Sequence, residues 1–452
     1  MVEERADRNQ TPGAMTKRIL VLFPDEWDRA AAHDPRLRSR YEFLYEGFDL
    51  FSFPDNARLF AFDALKFVDR IAAKYARAPL DAIVTSDEQF GPFVASLVAS
   101  RLGLPFTPLE AVLTIQHKYY ARQAFERIVP ECNARFGLLR RDYRHEADVP
   151  LEYPFYVKPA KAAFSVLARR VDSFAALQRH TRFGWFERAV IERLVKPFAD
   201  VMQAHSSLEE DPFSMVTEEI LHGRQVTANG YARHGRVTML GTVDSIMYPG
   251  TDQFQRFQYP SSLPPADLER VDVLATRLIE GLGLRHGMFN IEMRIDPASG
   301  ALRVIEINPR AAGQFYDIFE RVDGYSPFDA LLALHCGDEP VVKRGEGRQR
   351  HAASFVLRDL AGEGLGRWPS ARDVEALAAR HPEGHVMVYR KRGSDLAREM
   401  KWLGSYRYCV FNTGGATVDE MFASFERLVR DIDFHPASRR PAARELAPGA
   451  EA

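Results

Sequence analysis

Short apolar runs alternate with amphipathic stretches along most of this chain. Arg18 to Phe23 (RILVLF) and Leu80 to Ser86 (LDAIVTS) are apolar runs that predict buried strands. Ser86 with Gln89 makes a capping box, and Phe90, Phe93, Val94, Leu97, Val98 and Leu102 then recur at helical spacing up to Gly103. Strand, helix and glycine stop predict a βαβ-like N-terminal α/β domain over residues 15–110, within which 25–60 follow no clean period. The polar stretch 1–14 reads as a disordered leader, with Met15 as a second candidate start.

From about 109 a helical stretch carries Lys118, and YPFYVKPA (153–160) reads as a strand broken by Pro159. SMVTEEIL and QVTANGYARHGRVTMLGTVDSI predict strands punctuated at Gly223 and at His234-Gly235, and FQYPSSLPP predicts a loop. Over 267–282, Leu268, Val271, Leu274, Leu278 and Leu282 fall on one helical face that Gly283 ends. After 340 come three strands (HAASFVLR, HVMVYR, YRYCVFN) and a helix capped by Thr417 and Glu420, with Val418, Met421, Phe422, Phe425 and Leu428 as its buried stripe. The Pro/Ala/Arg/Glu-rich stretch 436–452 reads as a disordered tail.

Composition narrows the function classes. The 452 residues hold 60 Lys+Arg against 62 Asp+Glu, a net charge of −2 with no dense basic block, so neither nucleic acid nor an anionic membrane is the expected partner. Cys132, Cys336 and Cys409 are isolated thiols without metal or disulfide spacing, no run of about 18 apolar residues occurs, and a cytoplasmic location is the expectation. The thirteen histidines form no His-Glu-x-x-His pattern, and Walker A, Gly-x-Ser-x-Gly and Gly-x-Gly-x-x-Gly stretches are absent.

The stretch GMFNIEMRIDPASGALRVIEINPR (287–310) carries the chemistry. Both of its halves alternate, and Asp296 to Gly300 between them are turn formers, so it predicts a hairpin. Phe289, Ile291, Met293 and Ile295 share one face, and Asn290, Glu292 and Arg294 share the other. A register symmetric about Ser299 sets Glu292 opposite Glu306, about 5 Å apart at the side-chain roots, where two like charges destabilise the ribbon. Solvent, a shared proton or a cation relieves that repulsion. A divalent magnesium or manganese ion suits the oxygen set of Glu292, Glu306 and Asn308 and keeps positions open for nucleotide phosphates. Arg310, just past the strand, is a planar donor suited to a phosphoryl or acyl oxygen.

These residues resemble the metal-binding signature of the ATP-grasp superfamily, in which an acid on one strand precedes a Glu-x-Asn-Pro-Arg element on the next. The similarity spans about 80–340. It implies an ATP-grasp fold of mixed α/β and α+β class: an N-terminal domain, a two-lobed ATP-grasp domain over 111–340 (small lobe about 150–215, large lobe about 216–340) and a small α+β C-terminal subdomain over 341–435. By resemblance Glu292, Glu306 and Asn308 hold magnesium (or manganese) on ATP, and Arg310 stabilises the transferring phosphoryl. Lys118 and Lys158 resemble the family's phosphate-contacting lysines, and Glu218, Glu219 and Leu221 in VTEEILHG resemble the segment that reads adenine and ribose. The chain departs from the pattern in three places. His117 stands where the family often has Asp, Gln225 stands where many relatives have a ribose-binding acid, and the segment PAKAAFSVLARRV after Lys158 lacks the usual glycines. Lys161, Ser165 or Arg169 are the side chains placed to donate where backbone amides otherwise would.

Family chemistry then implies ADP-forming ligation of a carboxylic acid to an amine through an acyl phosphate, with small-molecule partners. The acceptor pocket is expected near Arg310 and the loop AAGQFYDIFERVDGYSP, with Gly313 and Gln314 by the acyl phosphate and Arg256, in a loop, pairing a substrate carboxylate. Bicarbonate activation of the biotin-carboxylase kind is an alternative, for which the chain lacks an Ala-Met-Lys-Met carrier element; a nucleotide-binding regulator without turnover is another. Many relatives dimerise, and no feature of this sequence decides whether this chain forms a homodimer.

Overall fold

The computed structural model describes residues 16–50, 54–162, 167–390 and 393–436. The expected leader, the expected tail apart from Pro436, and Ser165 lie outside them. The first sheet is parallel and three-stranded, with β1 (Lys17–Leu22) between β2 (Tyr41–Glu46) and β3 (Ala82–Val84). Leu20, Leu22 and Ile83 pack on Val68 and Ile71 of the helix Ala64–Ala76 and on Phe93 and Val94 of the helix Gly91–Leu102. The second helix is not capped by Ser86. Asp87 accepts from the Phe90 and Gly91 amides (2.6 Å each), a carboxylate being the stronger acceptor, while the Ser86 hydroxyl donates to Asp28 (2.7 Å). The aperiodic stretch after 25 holds two helices, Glu26–Ala32 and Pro35–Arg38, started by Asp25 and Asp34, too short for periodicity to show.

A four-stranded antiparallel sheet follows in the order β4-β7-β5-β6, from β4 (Phe136–Leu139), β5 (Phe155–Pro159), β6 (Arg169–Val171) and β7 (Met215–Glu218). This lobe therefore begins before 150 and includes β7. Its long helix Trp185–His205 sends Phe198 and Val201 into the core of the N-terminal unit, tying the two together. The remaining strands form one antiparallel sheet ordered β12-β11-β8-β9-β10-β13-β15-β14. They are β8 (Arg224–Arg233), β9 (Arg236–Met247), β10 (Phe254–Tyr259), β11 (Gly287–Ile295), β12 (Leu302–Asn308), β13 (His351–Asp359), β14 (His385–Val388) and β15 (Tyr406–Gly415). The strands past 340 thus build no sheet of their own, because β13 pairs with β10. Helices cover both faces of this sheet, among them Pro265–Gly281, with Val271, Leu274 and Leu278 on Phe289, Ile291 and Met293, Val418–Asp431, whose Phe425 ring stacks on Phe355 at 4.0 Å, and Tyr316–Asp323, whose Phe319 ring stacks on Tyr259 at 4.2 Å.

Residues 219–223 link β7 to β8 and so join the two lobes. Gly223 is obligatory there: its φ is +97°, and a Cβ would lie 2.1 Å from the Ile295 carbonyl oxygen. Two expected loops are partly regular. Phe257, Gln258 and Tyr259 belong to β10, and Tyr316–Asp323 is a helix.

Candidate nucleotide and metal site

The hairpin β11–β12 has the expected pairing at its functional end, with Glu292 opposite Glu306 and Asn290 opposite Asn308. Toward the turn the register slips by one residue, Met293 pairing with Val304. Strict alternation would put Glu306 on the side of Leu302 and Val304, which are core residues. The bulge at Ile305 resets the alternation, so Ile307 enters the core and Glu306 and Asn308 share the opposite face with Glu292.

Arg122 fixes that bulge. Its guanidinium, 1% exposed, donates to the carbonyls of Val304 (2.8 Å) and Ile305 (2.9 Å) and to both oxygens of Glu218 (3.0 and 2.9 Å). Glu218 also pairs with Lys158 at 2.8 Å. Burial alone pushes the Glu218 carboxyl up, but Arg122 and Lys158 outweigh burial and hold it at about 2. Both Glu218 oxygens are therefore engaged in fixing cations, and the side chain expected at the adenine or ribose instead ties the helix Lys118–Ile128 to β5 and β7. Arg122 was not singled out from the sequence, although it lies one helical turn beyond Lys118 and so on the same face.

Lys118 starts its helix where the chain breaks at the buried His117. Its Nζ sits 3.3 Å from Glu306 and donates to the Ala162 carbonyl (2.8 Å), while its backbone N–H donates to Ala160 (2.8 Å). Burial pushes Glu306 up, and Lys118 and Lys158 more than offset it, leaving that carboxyl below its ordinary value. Glu292 goes the other way. Burial, then the charge of Glu306, pushes it up to about 8, and its partner is the Gln225 amide at 2.8 Å. A pair of acids in which one is driven to hold its proton is a site short of positive charge. Asn308 donates its amide to Asn290 Oδ1 (3.0 Å), which leaves its own carbonyl oxygen as an acceptor. Two carboxylates and one amide oxygen fit a magnesium or manganese ion that takes its other ligands from phosphate and water. No group of three or more His, Cys, Asp and Glu suited to a metal occurs among the described residues, so the acids alone do not form a closed cage.

Arg310 follows the strand and pairs with Glu88, in the connection between β3 and the helix Gly91–Leu102, a residue that carried no sequence signal. The other expected residues scatter. Glu219 pairs with Arg135 at 2.9 Å, and Leu221 lies in the link between lobes. Arg256 is not in a loop: it is 8% exposed in β10, donates to Gln255 (2.9 Å), and lies over the Phe422 ring. Gln314 donates to Ser354 (2.8 Å), and a Cβ on Gly313 would stand 2.9 Å from Trp27.

Lys118, Lys161, Glu88, Glu218, Glu306 and Asn308 line one cleft between the small sheet and the end of β12. The ATP-grasp domain family model matches residues 151–317, covering β5 through the hairpin and Arg310. The chain carries an ATP-grasp domain.

Other likenesses agree with this ATP-grasp assignment. Carnosine synthase 1 of Gallus gallus is 37% identical over 109 residues, which are 24% of this chain and 11% of that protein. Carnosine synthase 1 of Homo sapiens is 28% identical over 165 residues, 36% of this chain and 19% of that protein, so the chain spans a minor part of the curated relatives it matches. An L-amino acid ligase from Bacillus licheniformis superposes with a TM-score of 0.66 at 19% identity, over 93% of this chain and 98% of that one. An N5-carboxyaminoimidazole synthase from Aspergillus clavatus, solved with ADP and its ribonucleotide, gives 0.63 at 15% identity over 92% and 99%. At these identities the superpositions show the ATP-grasp fold over nearly the whole chain. No helix among the described residues is long and apolar enough to cross a membrane.

Proposed function

We propose that the chain is an ATP-dependent ligase that activates a carboxylic acid as an acyl phosphate and joins it to an amine, releasing ADP and phosphate. The observation that carries this reading is the register pair Glu292–Glu306 beside Asn308, facing Lys118 and Lys158 on an ATP-grasp domain. The named activity of the L-amino acid ligase, whose fold this chain shares, supports amino acids as the substrate class.

In this reading Lys118 and Lys158 bind the ATP phosphates, Arg310 meets the phosphoryl in transit, and Leu221 with its neighbours in the inter-lobe link borders the adenine. Glu292, Glu306 and Asn308 would hold the divalent cation, which when bound neutralises phosphate charge. A carboxylate oxygen of the acid attacks the γ-phosphorus, the bond to the β,γ-bridging oxygen breaks, and ADP leaves. The amine nitrogen then attacks the acyl carbon, phosphate leaves with the bonding pair, and the nitrogen gives up a proton. Catalysis by this chain is alignment and charge neutralisation, both of which need water kept out of the cleft.

Hydroxylamine trapping tests the proposal, since an acyl phosphate is captured as a hydroxamate whose identity names the acid. Purified protein with ATP, magnesium and a panel of acids should yield hydroxamate and ADP in equal amounts, and Glu306→Gln should abolish both while melting like the wild type. ADP release with bicarbonate alone would favour the carboxylating alternative, and ATP binding with no ADP under any acid would favour a regulator.

A further inference from the structure

Lys161 lies three residues past Lys158 and is 2% exposed. Its Nζ stands over the rings of Phe198 (5.1 Å) and Phe93 (6.0 Å), and it lines the same cleft as Lys118, Glu306, Asn308 and Glu88. Each other cation there has an acid: Lys118 has Glu306, Arg122 and Lys158 share Glu218, and Arg310 has Glu88. Lys161 makes no ion pair with any described residue. Two ring faces compensate a buried ammonium only in part, because cation–π attraction is smaller than the loss of hydration. A buried lysine kept in this position without an ion pair, with Lys118 lining the same cleft, is left for a ligand to satisfy. The ligand that suits two amines so placed is an anion such as a phosphate.

The residues on either side of Lys161 are also held in place. Ala160 donates to Ser214 (2.8 Å) and accepts from the Lys118 amide, and Ala162 accepts from Lys118 Nζ. A glycine-rich loop brings amides to a phosphate by moving, whereas here a buried side chain already lines the cleft with its amine, which burial and then Lys118 push down to about 7 while the cleft is empty.

We propose that Lys161 is a third phosphate-binding lysine that, with Arg310, contacts the phosphoryl group in transit, the γ-phosphate of ATP before transfer and the acyl phosphate after it. The assignment to that phosphoryl follows from Lys161 sharing the cleft with Glu88, the partner of Arg310, rather than with the hinge segment. It rests on the ligase reading above, and the test separates the two.

Equilibrium binding of ATP and of ADP, each with magnesium, is measured on the full chain, Lys161→Met and Lys161→Arg. Loss of one charge-assisted contact to the γ-phosphate should weaken ATP about ten- to hundredfold in Lys161→Met, with ADP within about threefold. Lys161→Arg should keep most of the ATP preference, and the nucleotide-free Lys161→Met protein should melt no lower than the wild type, since an unpaired buried charge has been removed. An unchanged ATP-to-ADP ratio in Lys161→Met overturns the proposal and leaves the ligase reading standing. Equal loss of both nucleotides with a lowered melting temperature also overturns it, because that marks a packing role. Wild-type protein that binds neither nucleotide overturns the ligase reading as well.

Discussion

Replacing Arg122 by Met tests the central structural argument. The substitution keeps roughly the length and volume of the stem but removes five hydrogen bonds: two to Glu218, one each to the Val304 and Ile305 carbonyls, and one to Asn133 Oδ1 at 3.1 Å. Breaking a buried ion pair from one side costs about 3–5 kcal/mol. Each carbonyl left without a donor adds about 1–3 kcal/mol unless water reaches it. Lys158 remains on Glu218 and offsets part of the first term. A net loss of roughly 4 kcal/mol is expected at pH 7, a large share of the stability of an ordinary domain. The sign of its pH dependence follows from Glu218, whose folded value of about 2 lies below the ordinary 4.5. A depressed carboxylate stabilises the fold above about pH 4.5, and that contribution is lost as pH falls toward 2. The wild-type advantage over Arg122→Met should therefore shrink across that window. Urea unfolding with matched m-values measures the loss, and amide exchange along β12 locates it. In a double-mutant cycle with Glu218→Gln, the two losses should fall short of additive by about 2 kcal/mol. A loss under about 1 kcal/mol, or additive losses, would refute the claim that this guanidinium holds the bulge and its acid together.

Three further outcomes follow from single sites. Glu292→Gln should raise the stability of the metal-free protein by about 1–3 kcal/mol at pH 7, because it removes one of two facing acids, while abolishing hydroxamate formation; thermal melts with and without magnesium check both. Gly223→Ala should destabilise by about 2–4 kcal/mol in chemical unfolding, since both its positive φ and the Ile295 carbonyl oppose a Cβ. His335, 2% exposed and stacked on Phe106 at 4.7 Å, is pushed down to about 3 by burial and then by His286. It folds neutral, so its contribution is complete above about pH 6.5 and falls by roughly 2 kcal/mol by pH 5, a loss that His335→Gln should remove from melts run across that range.

Alternation and turn residues were enough to fix the hairpin, the facing of Glu292 with Glu306, and the strand and helix ends that carry Lys158 and Lys118, because each depends on neighbours within one or two elements. The bulge at Ile305 was not legible: it moves Glu306 off the core side, and what favours it is the guanidinium of Arg122, more than 180 residues away. The partners of Glu218 and Arg310 were hidden for the same reason, since Glu88 and Arg122 meet them only once separate sheets are brought together. Arg256 was misplaced because Pro260 and the polar residues after it masked a strand that pairs on one side with the preceding β9 and on the other with β13, about a hundred residues on. Local pattern sets which atoms a segment offers and on which face. Whether a charge there ends up in an ion pair, as in Lys118, or without one, as in Lys161, is decided only when packing removes water and leaves each ion with the neighbours the tertiary fold supplies.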